Sequence, residues 1–459
     1  MTGHPFDPSI LREYDIRGLV DKTLHRADAV ALGRAFGTLV RRRGGARVAL
    51  GFDGRLSSPD LADGVSEGLR ASGVTPLRLE CGPTPLLYFA VYELDADGGI
   101  MVTGSHNPPQ YNGFKMMLGK SSFFGADIQA LGQQAAAGDF ETGTAEEEAH
   151  TLAPRYLDVL LERAPISRSF KVAWDPGNGA TGEAVQALVK RLPGEHHVIN
   201  GTIDGNFPAH HPDPTVPANL VQLQDIVRAK GCDLGFAFDG DGDRLGVIDG
   251  EGGILWGDQV MLLLAEDILK ERPGATIIAD VKASQTLFDG IASMGGKPLM
   301  WNTGHSLIKA KMKETNAPFA GEMSAHLFFA DRYFGFDDGL YAALRVLQAM
   351  EGRASSLRDF RLSLPATFAT PEIRVDCPAE RKSPVVEGVR GALKQAGAEV
   401  SEVDGVRVRT PEGWWLLRAS NTQDVLVVRC EADSEAGLER LKTEVRSYLS
   451  NQGLQPNLD

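Results

Sequence analysis

The sequence Gly99-Ile100-Met101-Val102-Thr103-Gly104-Ser105-His106-Asn107-Pro108 opens as a short apolar run and stops abruptly at a Gly and an Asn-Pro pair. Such a run reads as a buried strand ending in a polar loop, which puts Ser105 at the strand's C-terminal edge. Gly104 lets backbone amides approach a ligand closely, and His106 can hydrogen-bond an oxyanion beside the hydroxyl. The combination suits a serine that carries a phosphoryl group. An isolated tripeptide of this kind is better explained as a Ser/Asn turn without chemistry, so its meaning depends on the surrounding sequence.

On either side a larger pattern repeats. Val48 to Asp53 is an apolar strand ending in Asp, followed by a Ser-rich loop and an amphipathic helix from Pro59 to Ala71. The same order returns at Lys171 to Asp175 and at Thr276 to Asp280, at intervals of about 105 to 120 residues. Three similar α/β units are the economical reading. Each has a second strand that runs into an unusual loop. The first loop carries Ser105. The second is Asp239-Gly240-Asp241-Gly242-Asp243-Arg244 after Leu234 to Phe238, and the third is Gly321-Glu322-Met323-Ser324-Ala325-His326 after Pro318 to Ala320. Ligands of α/β sheets bind beyond the carboxyl ends of strands, so the three loops are expected to converge on one cleft.

Boundaries follow from this count. Gly138 to Ala149, with its Glu146-Glu147-Glu148 run, reads as a solvated link, a second boundary falls near Gly250 to Gly253, and Pro365 to Pro371 reads as a linker. The expected units are therefore residues 1–150, 151–253, 254–367 and 368–459. The last offers Val406 to Arg409, a turn at Pro411 to Gly413, strands at Trp414 to Leu417 and Val425 to Cys430, and a helix from Glu435 to Leu449. Hairpin strands followed by one helix predict a small α+β domain. Near the start, Asp28 to Val40 has helical periodicity, and Arg41-Arg42-Arg43 at its end reads as cations complementing the helix dipole.

Composition narrows the function classes. The 459 residues carry a net charge of −14, which argues against a nucleic-acid or anionic-membrane surface. Cys81, Cys232, Cys377 and Cys430 are widely spaced and read as reduced thiols of a cytoplasmic protein. The N-terminus has no basic region followed by an apolar segment, and no apolar run is long enough to span a bilayer. A phosphate site remains compatible with this charge, because a few convergent cations can hold an anion within an acidic protein.

Three aspartates at alternate positions, separated by Gly, can place carboxylate oxygens around one point, and hard oxygen ligands select Mg²⁺ or Ca²⁺. An EF-hand needs Gly at the sixth loop position, where this chain has Arg244, and a helix upstream rather than a strand. An aspartyl phosphatase would use Asp239 as nucleophile and Asp241 as acid, but a third carboxylate at Asp243 beside Arg244 fits a metal cradle better. Three close carboxylates repel unless a cation holds them. Lys282, His305 and Lys309 add anion-binding candidates, each with an ordinary reading as a surface or capping residue. Arg418-Ala419-Ser420-Asn421-Thr422 joins two strands and offers a guanidinium, two hydroxyls, an amide and backbone N–H groups, a phosphate clamp. His210-His211, flanked by prolines, reads as structural rather than metal-binding.

Taken together, these stretches resemble the α-D-phosphohexomutases from Tyr14 to the C-terminal helix. The Gly321 to His326 loop is most similar to that of bacterial phosphomannomutase/phosphoglucomutase, where Met stands between Glu and Ser; phosphoglucosamine mutases usually carry Gln there. Two departures are Leu11, where an aromatic is often seen, and Gln423-Asp424, where many relatives have a residue followed by Pro. The resemblance implies three α/β domains and a mobile α+β fourth around a central cleft, and an enzyme interconverting hexose 1-phosphate and hexose 6-phosphate. It implies Ser105 phosphorylated at rest, Mg²⁺ on Ser105, Asp239, Asp241 and Asp243, and charge stabilisation by Arg244 and His106. It further implies proton transfer or polarisation by Arg17, Lys115 and His326, and a 1,6-bisphosphate that turns over as intermediate and activator. Arg418, Ser420, Asn421 and Thr422, with Tyr14, Lys282 and His305, would grip the other phosphate, while Glu322 and Ser324 would read the 3- and 4-hydroxyls shared by glucose and mannose. The partner expected is a small phosphosugar, with no nucleic acid, membrane or obligate protein partner. A phosphoglucosamine mutase, a metal-dependent sugar-phosphate phosphatase and a non-catalytic sensor are the competing readings.

Overall fold

A computed structural model of the chain describes residues 2–421 and 423–458. Its first three sheets share one plan. In each, a central strand (Arg47–Phe52, Phe170–Asp175 or Thr276–Asp280) lies between two parallel neighbours. The inner neighbour then returns antiparallel on itself: Gly98–Val102 with Tyr111–Leu118, Leu234–Phe238 with Leu245–Asp249, and Phe319–Gly321 with Leu327–Phe329. The three loops singled out in the sequence are the connections of these three hairpins. They therefore sit at equivalent points of the repeat, beyond the carboxyl ends of parallel strands.

Most of the apolar side chains of the first three units belong to one shared core. Tyr88, Phe89 and Tyr92 on the Thr84–Glu93 helix meet Tyr156, Phe334 and Phe336 from the second and third units. The Gly339–Glu351 helix is apolar nearly all round and buried, as such a helix must be. Its one internal charge, Arg345, is met by Asp331 at 2.9 Å.

The fourth unit is an antiparallel sheet in the order Phe368–Ala369, Val425–Ala432, Gly413–Ala419, Val406–Thr410, Glu399–Ser401. Two helices cover one face, not one: Ala379–Gln395 precedes the last hairpin. Pro384 and two glycines obscure it in the sequence, but Val385, Val386, Val389 and Leu393 make an apolar stripe that the sheet buries. The other face presents Trp414 and Leu416 to Val281 of the third unit. Arg407 stacks 3.7 Å from the Trp414 ring and donates to the carbonyls of Val281 and Ala283 at 2.7 and 2.8 Å.

Two links differ from expectation. Glu148–His150 is a strand, parallel to Thr75–Cys81, and Glu147 accepts from Ser66 Oγ at 2.5 Å, so the acidic stretch is partly docked along a sheet edge that would otherwise be unpaired. Phe368–Ala369, inside the expected linker, already pairs with Val425–Ala432. Arg42 binds Asp139 at 2.7 Å and Glu141 at 3.1 Å, a structural use of the arginine run.

The Arg26–Arg42 and Ser58–Ala71 helices cross closely because glycines face backbone: a Cβ at Gly33 would lie 2.3 Å from Val65 O, and one at Gly68 2.2 Å from Val30 O. Gly33→Ala should force the helices apart at a cost of roughly 1–3 kcal/mol. Thermal denaturation should show the loss, with fragments of residues 1–150 released first in limited proteolysis.

Candidate active site

Ser105 is held in a left-handed conformation, φ 51°, which a residue with a side chain adopts only when its surroundings impose it. What imposes it is Arg55, a residue the sequence reading passed over. Its fully buried guanidinium donates to the carbonyls of Ser105 (2.7 Å), Asn107 (2.6 Å), Pro108 (2.7 Å) and Tyr111 (3.0 Å), and to Asp53 at 3.2 Å. Asp53, the aspartate that ends the first repeat strand, also accepts from Arg55 N and Ser58 Oγ. One arginine thus ties the loop to the strand beneath it. An arginine two residues after a strand-ending aspartate was the available signal.

Ser105 Oγ lies 3.3 Å from Asp239 Oδ2 and 3.2 Å from His106 Nδ1. Burial, reinforced by the Arg244 and Arg17 charges, drives His106 well below the ordinary histidine range, so it faces Ser105 as a neutral ring. Asp239, Asp241 and Asp243 are fully buried. Burial first, then the other two carboxylates, pushes Asp239 well above the usual carboxylate range. Burial also works to raise Asp241, but Lys115, 2.7 Å away, and the Thr84 hydroxyl at 2.5 Å hold it below that range. Lys115 Nζ also donates to Asp243 Oδ2 at 2.5 Å; burial would lower this lysine, and the aspartates outweigh it.

The donor set fits a hard divalent cation. Ligand oxygens of the three aspartates lie within 4.8 Å of one another, and Asp241 Oδ1 and Asp243 Oδ1 are buried with no hydrogen-bond partner. The lysine takes one oxygen of each carboxylate and leaves the other open.

The third loop abuts the second: Leu245 N donates to Ala325 O at 3.1 Å, and Arg244 Nε donates to His326 Nε2 at 3.0 Å. Ala325 has φ 72°, a second strained residue at the cleft. Glu322 Oε1 accepts from Gly304 N at 2.7 Å. His305 stacks on His326, ring centres 5.6 Å apart, and Tyr14 packs on Gly304, whose φ of 133° leaves no room for a side chain. Lys309 is not an anion ligand: it is spent on buried Asp337 at 2.9 Å, under the Tyr88 ring, and does not reach the cleft.

From the fourth unit, Arg418 Nε pairs with Asp404 at 2.9 Å, and Asn421 Nδ2 donates to Tyr14 OH at 2.5 Å, while that hydroxyl donates to Thr303 O at 2.7 Å. Lys282 Nζ meets Glu372 at 3.2 Å. Thr422 lies outside the described residues. Lys382 donates to the carbonyls of Ser420 and Gln423 at 2.9 and 2.7 Å and lies 3.6 Å from Asp424. It thereby ties Ser420 to Gln423 and Asp424.

The loops enclose one cleft of about 750 Å³. Tyr14, Arg17, His106 and Arg244 line it from the first two units; Lys282, His305, Glu322, Ser324 and His326 from the third; and Arg418, Ser420 and Asn421 from the fourth. Ser105, Lys115 and the three aspartates are buried behind Arg17, His106 and Arg244. Sequence reading missed Arg12, Asp15 and Arg429, which also line it. Asp15 pairs with Arg17, whose Nη1 donates to Asn107 at 2.8 Å. Arg429 contacts Met323 Sδ and the Lys282 carbonyl, joining the fourth unit to the third loop.

Sequence models of the phosphoglucomutase/phosphomannomutase family match four consecutive parts of the chain: alpha/beta/alpha domain I over 8–142, domain II over 154–253, domain III over 256–368 and the C-terminal domain over 372–447. The chain is 43% identical over 441 residues to the phosphomannomutase/phosphoglucomutase of Pseudomonas aeruginosa, covering 96% of this chain and 95% of that protein. It is 41% identical over 451 residues to the phosphoglucomutase of Neisseria gonorrhoeae, covering 96% and 97%. A solved phosphoglucomutase/phosphomannomutase family protein from Burkholderia thailandensis superposes with a TM-score of 0.93 at 42% identity, covering 99% of each chain.

Removing Arg55 strands four loop carbonyls and an aspartate. Arg55→Met should cost about 3–5 kcal/mol, the range for breaking a buried charged pair. Hydrogen exchange should show the 103–111 segment opening far more often than in the parent, and unchanged protection there would refute the assignment.

Proposed function

Because this chain belongs to the phosphoglucomutase/phosphomannomutase family and is an enzyme that transfers phosphate intramolecularly, we propose that its cleft interconverts the 1- and 6-phosphates of glucose and mannose through a phosphorylated Ser105 and a hexose 1,6-bisphosphate. The observation that carries this reading is that Ser105 Oγ lies 3.3 Å from the first of three buried aspartates and 3.2 Å from the ring of His106, which lines the same cleft as Arg418, Ser420 and Asn421. A nucleophile at one end and an anion clamp at the other suit a substrate that carries phosphate at either end.

In the forward half, the free sugar hydroxyl attacks the phosphorus on Ser105, a new P–O bond forms, the bond to Ser105 Oγ breaks, and the hydroxyl proton passes to the enzyme. Arg17 and Lys115 are cations held by Asp15 and by Asp241 with Asp243, so they polarise oxygens rather than accept protons. His326, which lines the cleft, would take the proton, displacing the Arg244 N–H that donates to its Nε2. Asp239, Asp241, Asp243 and the Ser105 group would hold Mg²⁺, which supplies charge neutralisation at the phosphoryl oxygens. After the bisphosphate turns, its other phosphoryl returns to Ser105 and the proton goes back.

Glu322 and Ser324, which also line the cleft, would bind the 3- and 4-hydroxyls, leaving C2 unread and admitting both sugars. Met323 between them argues against the glucosamine phosphate. The enzyme would act in the cytoplasm on a small phosphosugar, a location that the free cysteines support; among the described residues no helix is long and apolar enough to cross a membrane.

Ser105→Ala should lose turnover on the order of 10⁵-fold or more, as expected when a nucleophile is deleted. It should also lack the phosphoryl adduct that intact-mass measurement finds on the parent. In coupled assays of the parent, glucose 1-phosphate and mannose 1-phosphate should turn over faster than glucosamine 1-phosphate. Stoichiometric release of inorganic phosphate would instead identify a phosphatase.

A further inference from the structure

Asp404 and Gly405 lie in the turn between the Glu399–Ser401 and Val406–Thr410 strands, where an Asp-Gly pair is by itself an ordinary hairpin signal. The Asp404 side chain serves a different purpose. Its Oδ2 accepts from Arg418 Nε at 2.9 Å and from Thr303 N at 3.1 Å. Arg418 belongs to the same unit, but Thr303 belongs to the third, just before Gly304 and His305. The Thr303 carbonyl accepts from Tyr14 OH at 2.7 Å, and Asn421 Nδ2 donates to that hydroxyl at 2.5 Å. With the backbone from Arg418 to Asn421, these bonds form a closed ring through the first, third and fourth units, and one carboxylate oxygen closes it.

Arg418 is buried and lines the cleft. A guanidinium is a flat fork of five donors and can hold a phosphate either along its Nε edge or through its two terminal nitrogens. Asp404 occupies Nε, and Nη1 and Nη2 make no hydrogen bond among the described residues. The bond to Nε thus fixes the plane of the fork and leaves its terminal pair for a ligand. Charge alone argues the other way, since a carboxylate beside a cation weakens that cation's pull on an anion. The two effects of Asp404 therefore have opposite signs.

We infer that Asp404 is a positioning residue for the phosphate clamp: by holding Nε it aims the terminal nitrogens of Arg418 at the non-reacting phosphate of the sugar. The inference rests on the mutase reading above and adds what orients the clamp. Because the same oxygen takes Thr303 N, the aim is set while the fourth unit is seated on the third. Grip on the phosphate and docking of the two units then share one atom.

The test compares Asp404→Ala, Asp404→Asn, Arg418→Met and the double variant Asp404→Ala with Arg418→Met against the parent. Turnover of glucose 1-phosphate is measured on each, and its binding is titrated calorimetrically on the same set in a Ser105→Ala background. Asp404→Ala should raise KM and the dissociation constant by about ten- to a hundredfold, with kcat changed by less than about threefold. Asp404→Asn keeps an acceptor oxygen for both donors without the charge, and should lose only about two- to fivefold. The double variant should bind within about twofold of Arg418→Met alone, since a residue that acts through Arg418 has nothing left to aim. Binding by Asp404→Ala as tight as the parent's, or tighter, overturns the inference and leaves charge as the whole effect. Losses that multiply in the double variant also overturn it, as does a fall in kcat with KM unchanged. If Asp404→Ala does not fold, Asp404→Asn decides alone, and binding no weaker than the parent's overturns the assignment. A parent that binds glucose 1-phosphate without turning it over sinks the mutase reading and leaves the calorimetric comparison to judge Asp404; one that does not bind it overturns both.

Discussion

Three carboxylates buried within one five-residue span repel each other, and within their own loop Arg244 is the one cation, with the backbone N–H groups of Gly242 and Arg244 serving Asp239 alone. The relief comes from elsewhere: Lys115 from the Tyr111–Leu118 strand, and the Thr84 hydroxyl at a helix start, both of the first unit. Coulomb energy in a low-dielectric interior is large and falls off with distance, so the first two units can be joined here in only one way. The serine loop sits where that joining puts it. Gly240, whose missing side chain leaves room for Ser105 O, is part of the same fit.

Strain is distributed around this charge cluster. Ser105 and Ala325 have positive φ without being glycine, and each is held by a neighbour: Arg55 beneath the first, and the backbone bond from Leu245 to the second. Both occur on hairpin loops that line or floor the cleft, whereas the strands leading into them are regular. The scaffold therefore carries the cost of conformations that the loops would not adopt alone.

The fold was largely legible because it repeats. Apolar runs ending in aspartate at Asp53, Asp175 and Asp280 mark three central strands, and the hairpin loops follow from the next apolar run. Residues close in sequence to those loops were found for the same reason. Asp337, Arg55, Lys382 and Arg429 were not, because each acts on a segment far from it in the chain, and a lone charged residue carries no local pattern to say which buried group it serves. Lys309 illustrates the converse. Its position near His305 suggested an anion site, while its actual partner, Asp337, lies 28 residues on. The Ala379–Gln395 helix was hidden by Pro384, whose cost in a helix interior is outweighed by burial of the stripe that follows it.

The fourth unit meets the third through the Arg407 and Trp414 patch and through several polar contacts, among them Arg429 with the Lys282 carbonyl, Glu372 with Lys282 and Asp404 with Thr303 N. Among the described residues, one hydrogen bond, Asn421 with Tyr14, ties it to the first unit across the mouth of the cleft. A seam of one hydrogen bond between groups that water can serve equally well holds very little against thermal agitation. A ligand that touched both rims would therefore add more to the hold between the first and fourth units than this one bond does.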